Sequence, residues 1–251
     1  MAFIHIKNLD IFFPIYHGDS QTLKKQTANT LFKLSGKIVR DEHDHYTVRA
    51  LHNITFSITS GERIGLVGSN GAGKTTLLRA MGGIFEPVRG CIEIDGSVST
   101  LLDTNLGMNH ELTGRENIQL RCLYNGYEQT KTKEIEQNVE EFSELGPFID
   151  MPIKAYSSGM TLRLAFGLAT AINPTILLMD EWFMAGDASF MEKARLRINT
   201  MVEKADIVVI STHQPDIIRR WCSRVIWLEN GEVKMDAPPD TVLNVYLPSV
   251  E

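Results

Sequence analysis

The sequence predicts an α/β protein whose buried parallel strands alternate with helices, interrupted by a helical insertion. Three stretches carry this expectation. Arg63–Val67 is an apolar run that reads as a buried strand, and it leads through a glycine-rich loop, Gly68–Thr75, into a helix over Thr76–Met81. Thr175-Ile176-Leu177-Leu178-Met179-Asp180-Glu181 and Ile207-Val208-Val209-Ile210-Ser211-Thr212-His213 are further apolar strands that end in polar groups, the pattern of a sheet covered on both faces. Between about Asp103 and Gly159 the texture turns helical, which predicts an inserted helical lobe.

The loop carries the first chemistry. Gly68-Ser69-Asn70-Gly71-Ala72-Gly73-Lys74-Thr75 is the string G-x-x-x-x-G-K-[ST] in its required strand–loop–helix setting. Its glycines let the backbone wrap a phosphate without Cβ clashes, so that successive N–H groups and the helix N-terminus point at one anion. The expected nucleotide contacts run from Gly68 through Thr76. Lys74 would reach the β- and γ-phosphates of a nucleoside triphosphate, and the Thr75 hydroxyl would be a ligand of Mg²⁺. The bland alternative is a glycine-rich turn with a chance lysine, and the flanking strand and helix argue against it.

The composition narrows the class. A chain of 251 residues with 43% hydrophobic and 22% charged residues has the balance of a soluble globular protein and buries a core without staples. A net charge of −6 argues against a nucleic-acid surface as the main business. Cys91, Cys122 and Cys222 have no metal-ligand spacing and read as reduced, mostly buried thiols of a cytosolic protein. The N-terminus lacks the charged and apolar regions of a signal peptide, and no stretch approaches 18 apolar residues. Work at a membrane would therefore need a partner.

The remaining elements follow in order. Residues 2–13 alternate as an edge strand stopped by Pro14. Residues 17–45 read either as a variable surface insertion or as a functional helix around Leu23, Leu31 and Leu34; His43 and His45 in its charged end read as a solvated loop rather than a metal site. Tyr46 lies 22 positions before Gly68, where it either stacks on a nucleobase or packs locally. A strand over Ala50–Ile58, a turn at Ser60-Gly61-Glu62, a turn at Glu86–Gly90, and strands over Cys91–Gly96 and Val98–Leu102 are expected next. Within the lobe, Ile135, Val139 and Phe142 mark a helix over Glu134–Glu144. A second helix spans Leu162–Ile172, closed by Asn173-Pro174. Val225–Lys234 is a hairpin turning on Asn230-Gly231.

Strand ends define the rest of the site. A buried strand that delivers acidic residues at its carboxyl end, beside a phosphate loop, is where α/β sheets place ligands. Asp180 can hold Mg²⁺ through water, and Glu181 can act as general base on the attacking water. A strand that merely ends in a charged turn is the alternative. His213 ends the next strand, and a γ-phosphate contact is its expected role.

Together the phosphate loop, Asp180-Glu181 and His213 resemble the nucleotide-binding subunit of ABC transporters. Tyr156-Ser157-Ser158-Gly159-Met160 corresponds to the family's signature segment, usually L-S-G-G-Q. The resemblance implies a P-loop NTPase (RecA-like) core, an antiparallel β subdomain and an inserted α-helical subdomain in one domain over 1–251. Core and β subdomain would span 1–102 and 163–251, and the helical subdomain 103–162. It implies ATP as nucleotide, Mg²⁺ as metal, and a signature (Ser157, Ser158, Gly159, Met160) that serves ATP held by a second copy, with Asp187 between the two sites. Leu112-Thr113-Gly114-Arg115-Glu116-Asn117 and Gly186-Asp187-Ala188-Ser189-Phe190 resemble the branch that exports O-antigen, capsule and teichoic acid. No Gln occurs between Leu101 and Ile118, where most members carry one, and Asp103 is the nearest polar residue to take over its Mg²⁺ and water contacts.

The resemblance implies an ATPase that powers export of a lipid-linked polysaccharide, O-antigen first among them. Its partners would be a second copy in an ATP-sandwich homodimer and two copies of an integral-membrane permease, met near Leu106 to Asn117, with no nucleic acid. Its place would be the cytoplasmic face of the inner membrane, held there through the permease. A C-terminal sugar-binding domain, which some relatives add, is not expected. Two rivals stand beside this reading: a soluble ABC ATPase acting on nucleic acid or ribosomes, and a degenerate regulatory nucleotide binder. One acidic module weighs against the former, and intact Lys74, Asp180, Glu181 and His213 against the latter.

Overall fold

The structure, a computed structural model, describes residues 1–14, 38–40, 46–102, 108–180 and 188–247. The chain divides into two compact units, Met1–Gly96 with Val209–Glu251, and Ser97–Val208.

The first unit holds a four-stranded antiparallel sheet. Its strands are β1 (Phe3–Pro14), β2 (Ile38–Arg40), β3 (Tyr46–Thr59) and, after β4 (Arg63–Val67), β5 (Arg89–Asp95), in the order β2-β3-β1-β5. The edge placement expected for the first strand is wrong: β1 lies between β3 and β5. The proline signal holds only locally, because the β5 pairing stops at Asp10 while Pro14 pairs with Thr47 alone, so its missing N–H falls where β1 has one neighbour. Asn8 and Asn53, both at positive φ, accompany register shifts that break the two-residue alternation. There Asp10 is buried, and its Oδ1 accepts from the Asn53 N–H at 2.7 Å and meets His52 Nδ1 at 2.9 Å.

The same unit places β4 beside β9 (Arg224–Glu229), in parallel register from Ile64↔Arg224 to Val67↔Trp227. With β10 (Glu232–Ala237) and β8 (Ile207–Ser211) the order is β10-β9-β4-β8. The hairpin between β9 and β10 turns on Asn230 (φ 53°) and Gly231 (φ 85°), the two left-handed residues that a two-residue type I′ turn needs. Helix α1 (Lys74–Met81) follows the glycine-rich loop.

Among its described residues the second unit contains β6 (Val98–Leu101) parallel to β7 (Ile176–Asp180) and the α-helices α2 (Gly114–Tyr124), α3 (Gln129–Ser143), α4 (Ser158–Ala169) and α5 (Ala188–Lys204). Ile118 and Cys122 of α2, Ile135 and Val139 of α3, and Leu164 and Leu168 of α4 share one buried cluster, so the expected stripe on α3 is its core face. The last turn of α3 has no basic residue of its own. Lys193 of α5 donates to the carbonyls of Glu141 and Phe142 at 3.2 and 3.0 Å, and Arg163 of α4 donates to that of Ser143 at 3.4 Å. Cations from two neighbouring helices thus meet the negative end of the α3 dipole. Phe142, Phe166 and Phe190 pack there with ring centroids 5.6 to 5.9 Å apart, and the Arg197 guanidinium lies 4.3 Å over the Phe142 ring. Shorter helices α6 (Pro215–Trp221) and α7 (Pro239–Tyr246) belong to the first unit, each with proline at its first position. Among the described residues no helix is long and apolar enough to cross a membrane.

Candidate functional site

The glycine-rich loop is packed on one side and open on the other. Helix α1 starts at Lys74, two residues before the expected boundary, and its N-cap is Gly73 at φ 110°, which offers no side chain to the first turn. A Cβ on Gly73 would lie 2.7 Å from Leu51 Cδ2 and 3.0 Å from the Ala50 carbonyl. A Cβ on Gly68 would lie 2.3 Å from the Leu228 carbonyl oxygen, whereas one on Gly71 would meet nothing within 4 Å. Ser69, Asn70 and Gly71 are exposed, and Ala72 is buried. The β9–β10 turn braces the loop from beneath: the Gly231 N–H donates to the Ala72 carbonyl at 3.0 Å, and the His52 N–H donates to the Gly231 carbonyl at 2.8 Å.

Lys74 is only 7% exposed, and its Nζ donates to the carbonyls of Gly68 at 2.6 Å and Ser69 at 3.2 Å. An ammonium held beside the loop's backbone, at a helix N-terminus with no acidic residue in its first turn, suits an anion that carries several negative charges. The donor set therefore fits the phosphates of a nucleoside triphosphate, and the open side at Gly71 gives them room. Thr75 and Thr76 are half-buried in the first turn of α1. His213 is exposed two residues beyond β8, the neighbour of β4, in the same unit as the loop. Tyr46 is half-buried at the start of β3, where its partner in the ladder is Arg40.

The second unit carries the other expected groups. Asp180 is half-buried at the carboxyl end of β7. Glu181, Asp187 and Asp103 lie outside the described residues, as do residues 17–37 and the pair His43 and His45. The segment Tyr156–Met160 opens α4, which begins four residues earlier than expected because Ser157 caps it: the Ser157 Oγ accepts from the Met160 N–H at 3.3 Å. Ser157, Ser158 and Gly159 are exposed, while Met160 packs against the helical cluster.

The bonds that support this unit's exposed helix ends were not legible in the sequence, although Thr113, Gly114, Arg115 and Asn117 all belong to Leu112–Asn117. Thr113 caps α2 in a reciprocal box with Glu116. Asn117, 2% exposed, donates from Nδ2 to the carbonyls of Asn109 and Thr113 at 3.0 and 2.8 Å, and its Oδ1 accepts from the Asn109 N–H at 2.7 Å. Arg115 grips both oxygens of Asp150 at 2.7 and 3.2 Å and reaches Glu136 and Glu140. Hydrogen bonds from Arg115 first, and its charge with them, hold the Asp150 carboxyl below the usual carboxylate range. Gly114 and Tyr156 meet at close range. The capping pattern T-x-x-E was the one local signal available for any of this.

The ABC transporter family matches residues 51–184 of the chain. The O-antigen export system ATP-binding protein RfbE of Yersinia enterocolitica is 42% identical over 231 residues, covering 92% of this chain and 96% of that relative. The teichoic acids export ATP-binding protein TagH of Lactococcus lactis subsp. lactis (strain IL1403) is 39% identical over 222 residues, 88% of this chain, and the match spans 47% of that relative's length. Among solved structures, the dimeric post-hydrolysis state of the ATP-binding cassette MJ0796 bound to ADP and Pi is similar with a TM-score of 0.66 at 22% identity, over 94% of this chain and 98% of that one. That likeness is one of fold, and it bears out the α/β P-loop architecture expected from the sequence.

Proposed function

The chain belongs to the ABC transporter family, and we propose that it is the ATP-hydrolysing subunit that powers export of a lipid-linked polysaccharide, O-antigen, through a membrane permease. The observation that carries the ATPase is the withdrawn Lys74 ammonium at the glycine-capped N-terminus of α1. The identity to RfbE across nearly the whole of both chains supports O-antigen as the cargo. The negative net charge and this kinship disfavour action on nucleic acid.

ATP with Mg²⁺ supplies the γ-phosphoryl bond whose cleavage is coupled to transport. Lys74 exchanges its carbonyl partners for phosphate oxygens, and the loop from Gly68 to Thr76 holds the remaining charge with N–H groups. Thr75 and Asp180 hold the metal, with Asp103 as the polar residue nearest the position of the absent glutamine. Glu181 takes the proton of the attacking water, His213 holds a γ-phosphate oxygen, and Tyr46 faces the base. Ser157, Ser158, Gly159 and Met160 of a second copy close the site, with Asp187 between the two nucleotides, so the working unit is a homodimer. Two permease subunits hold this dimer at the cytoplasmic face of the inner membrane.

Export is tested in cells that lack their own O-antigen export ATPase and carry the matching permease. The parent chain should restore surface O-antigen, and Lys74→Ala and Glu181→Gln should not. Purified Glu181→Gln should bind ATP and dimerise yet lose most turnover. Turnover within about threefold of the parent would remove Glu181 from the base role.

A further inference from the structure

Tyr156 stands where the signature segment L-S-G-G-Q has leucine, and its hydroxyl makes a bond that a leucine cannot. The hydroxyl donates to the Phe148 carbonyl at 2.7 Å and lies close against Gly114. Gly114 is the first residue of α2, so the phenol ties the Phe148 carbonyl, in the 146–150 turn, to a point beside the start of that helix. The approach requires glycine. A Cβ at position 114 would lie 2.6 Å from the Tyr156 oxygen and 3.0 Å from the Ile149 carbonyl. The Tyr156 ring packs half-buried against the helical cluster, and this burial raises the phenol, which keeps it a donor across the working pH range.

The groups that receive this contact are themselves fastened. The Ile153 and Lys154 N–H groups donate to the carbonyls of Leu112 and His110, each at 3.0 Å, and Thr113 bridges Pro152. Asn117 holds the 109–113 turn from within, and Arg115 holds Asp150. Chain order then passes from this fixed frame through Tyr156 directly into Ser157, Ser158 and Gly159, which are exposed; a Cβ on Gly159 would find nothing nearer than Ser157 Oγ at 3.9 Å.

We propose that Tyr156 is a positioning residue: by joining the N-terminal ends of α2 and α4 it fixes the exposed Ser157–Gly159 segment in the geometry that a second copy's nucleotide requires. This rests on the shared-site reading above. An exposed helix end that must meet a phosphate on another molecule has to be held within about 0.5 Å by its own support, and here the support is one hydroxyl bonded to the Phe148 carbonyl and seated against Gly114.

The test is Tyr156→Phe, which keeps the ring and removes the hydrogen bond to the Phe148 carbonyl. Three quantities are read: binding of a fluorescent ATP analogue, melting temperature, and turnover against protein concentration. Analogue affinity and stoichiometry should stay within about twofold, because the phosphate loop is untouched. Turnover at limiting protein should fall about fivefold, the scale of one net hydrogen bond, and half-maximal activity should need correspondingly more protein. Gly114→Ala should lose more, and Tyr156→Phe/Gly114→Ala should lose no more than Gly114→Ala alone, because both act on one contact. Gly159→Asp separates the two levels of the argument. Gly159→Asp inactive with Tyr156→Phe indistinguishable from the parent overturns the role of Tyr156 and leaves the shared site standing. Gly159→Asp with parental turnover overturns the shared site and the proposal together. A Tyr156→Phe loss that only tracks a lost fraction of analogue-binding protein makes the residue merely structural and overturns the proposal too.

Discussion

Alanine placed in turn at Gly71, Gly73 and Gly68 tests the two-sided picture of the phosphate loop, because the three positions share backbone strain and differ in space. At Gly71 (φ 76°) the added Cβ meets nothing within 4 Å. The cost is then the left-handed backbone, about 1–2 kcal/mol, reduced by about 0.4–1 kcal/mol of entropy lost from the unfolded chain, a net of roughly 1 kcal/mol. At Gly73 (φ 110°) the Cβ also overlaps Leu51 Cδ2 at 2.7 Å and the Ala50 carbonyl at 3.0 Å, which adds an overpacking cost of about 1–3 kcal/mol. At Gly68 the obstacle is the Leu228 carbonyl oxygen at 2.3 Å, a backbone atom inside β9 that cannot rotate away, so this substitution should cost the most. Thermal or urea unfolding without nucleotide reads the series. At about 2–4 °C per kcal/mol for a chain of this size, Gly71→Ala should lower the midpoint by about 2–4 °C and Gly73→Ala by roughly twice that or more. A saturating ATP analogue at about 100 times its dissociation constant should add about 2.7 kcal/mol to the parent, and Gly73→Ala should forfeit most of that gain. Equal losses at Gly71 and Gly73 would mean that the loop is not braced by Leu51 and Ala50, and the argument for a preformed cradle would fail.

Two further outcomes follow from buried and paired groups. Burial alone would raise the Glu62 carboxyl, but the Thr59 N–H at 2.7 Å, Arg224 at 2.9 Å and the Thr59 hydroxyl outweigh it and hold the group below its ordinary 4.5. A depressed folded value stabilises above the unfolded one, so the contribution is complete above about pH 5 and fades as pH falls through the folded value. Glu62→Gln should therefore be less stable than the parent at pH 7, with a gap in denaturation midpoint that narrows below pH 4.5; a gap constant from pH 7 to pH 3 would remove the carboxylate from this role. Burial pushes the Cys222 thiol up to about 12 and also raises Cys122, whereas Cys91 is exposed. A thiol reagent at pH 8 should titrate one cysteine rapidly in the native protein and all three in denaturant, and two rapid thiols would contradict the packing around Cys122 or Cys222.

What the sequence made legible was local. The string Gly68–Thr75, the Asn230-Gly231 turn and the stripe Ile135, Val139, Phe142 each state their conformation within a few residues, and each is found as expected. The stripe of α5, Phe190, Ala194, Ile198 and Met201, was as legible as that of α3 and was overlooked. The placement of β1 failed for another reason. Pro14 is a true edge signal, but only where the β5 pairing has already stopped at Asp10, and that stop depends on a strand whose sequence lies some eighty positions away. The support of the candidate site is non-local throughout. Lys193 and Arg163 answer the α3 carbonyls from other helices, and Tyr156 needs Gly114 to be glycine across 42 positions. A motif string names groups that touch a ligand, because those groups must be neighbours in the chain to share one loop or one helix end. The residues that hold such groups still owe nothing to chain order, since any side chain that packing brings within 3 Å will serve. Tyr156 makes the division visible within a single stretch: Ser157-Ser158-Gly159 could be matched to a motif, while the residue just before them departs from it, and that departure has meaning only beside the Phe148 carbonyl and the first turn of α2.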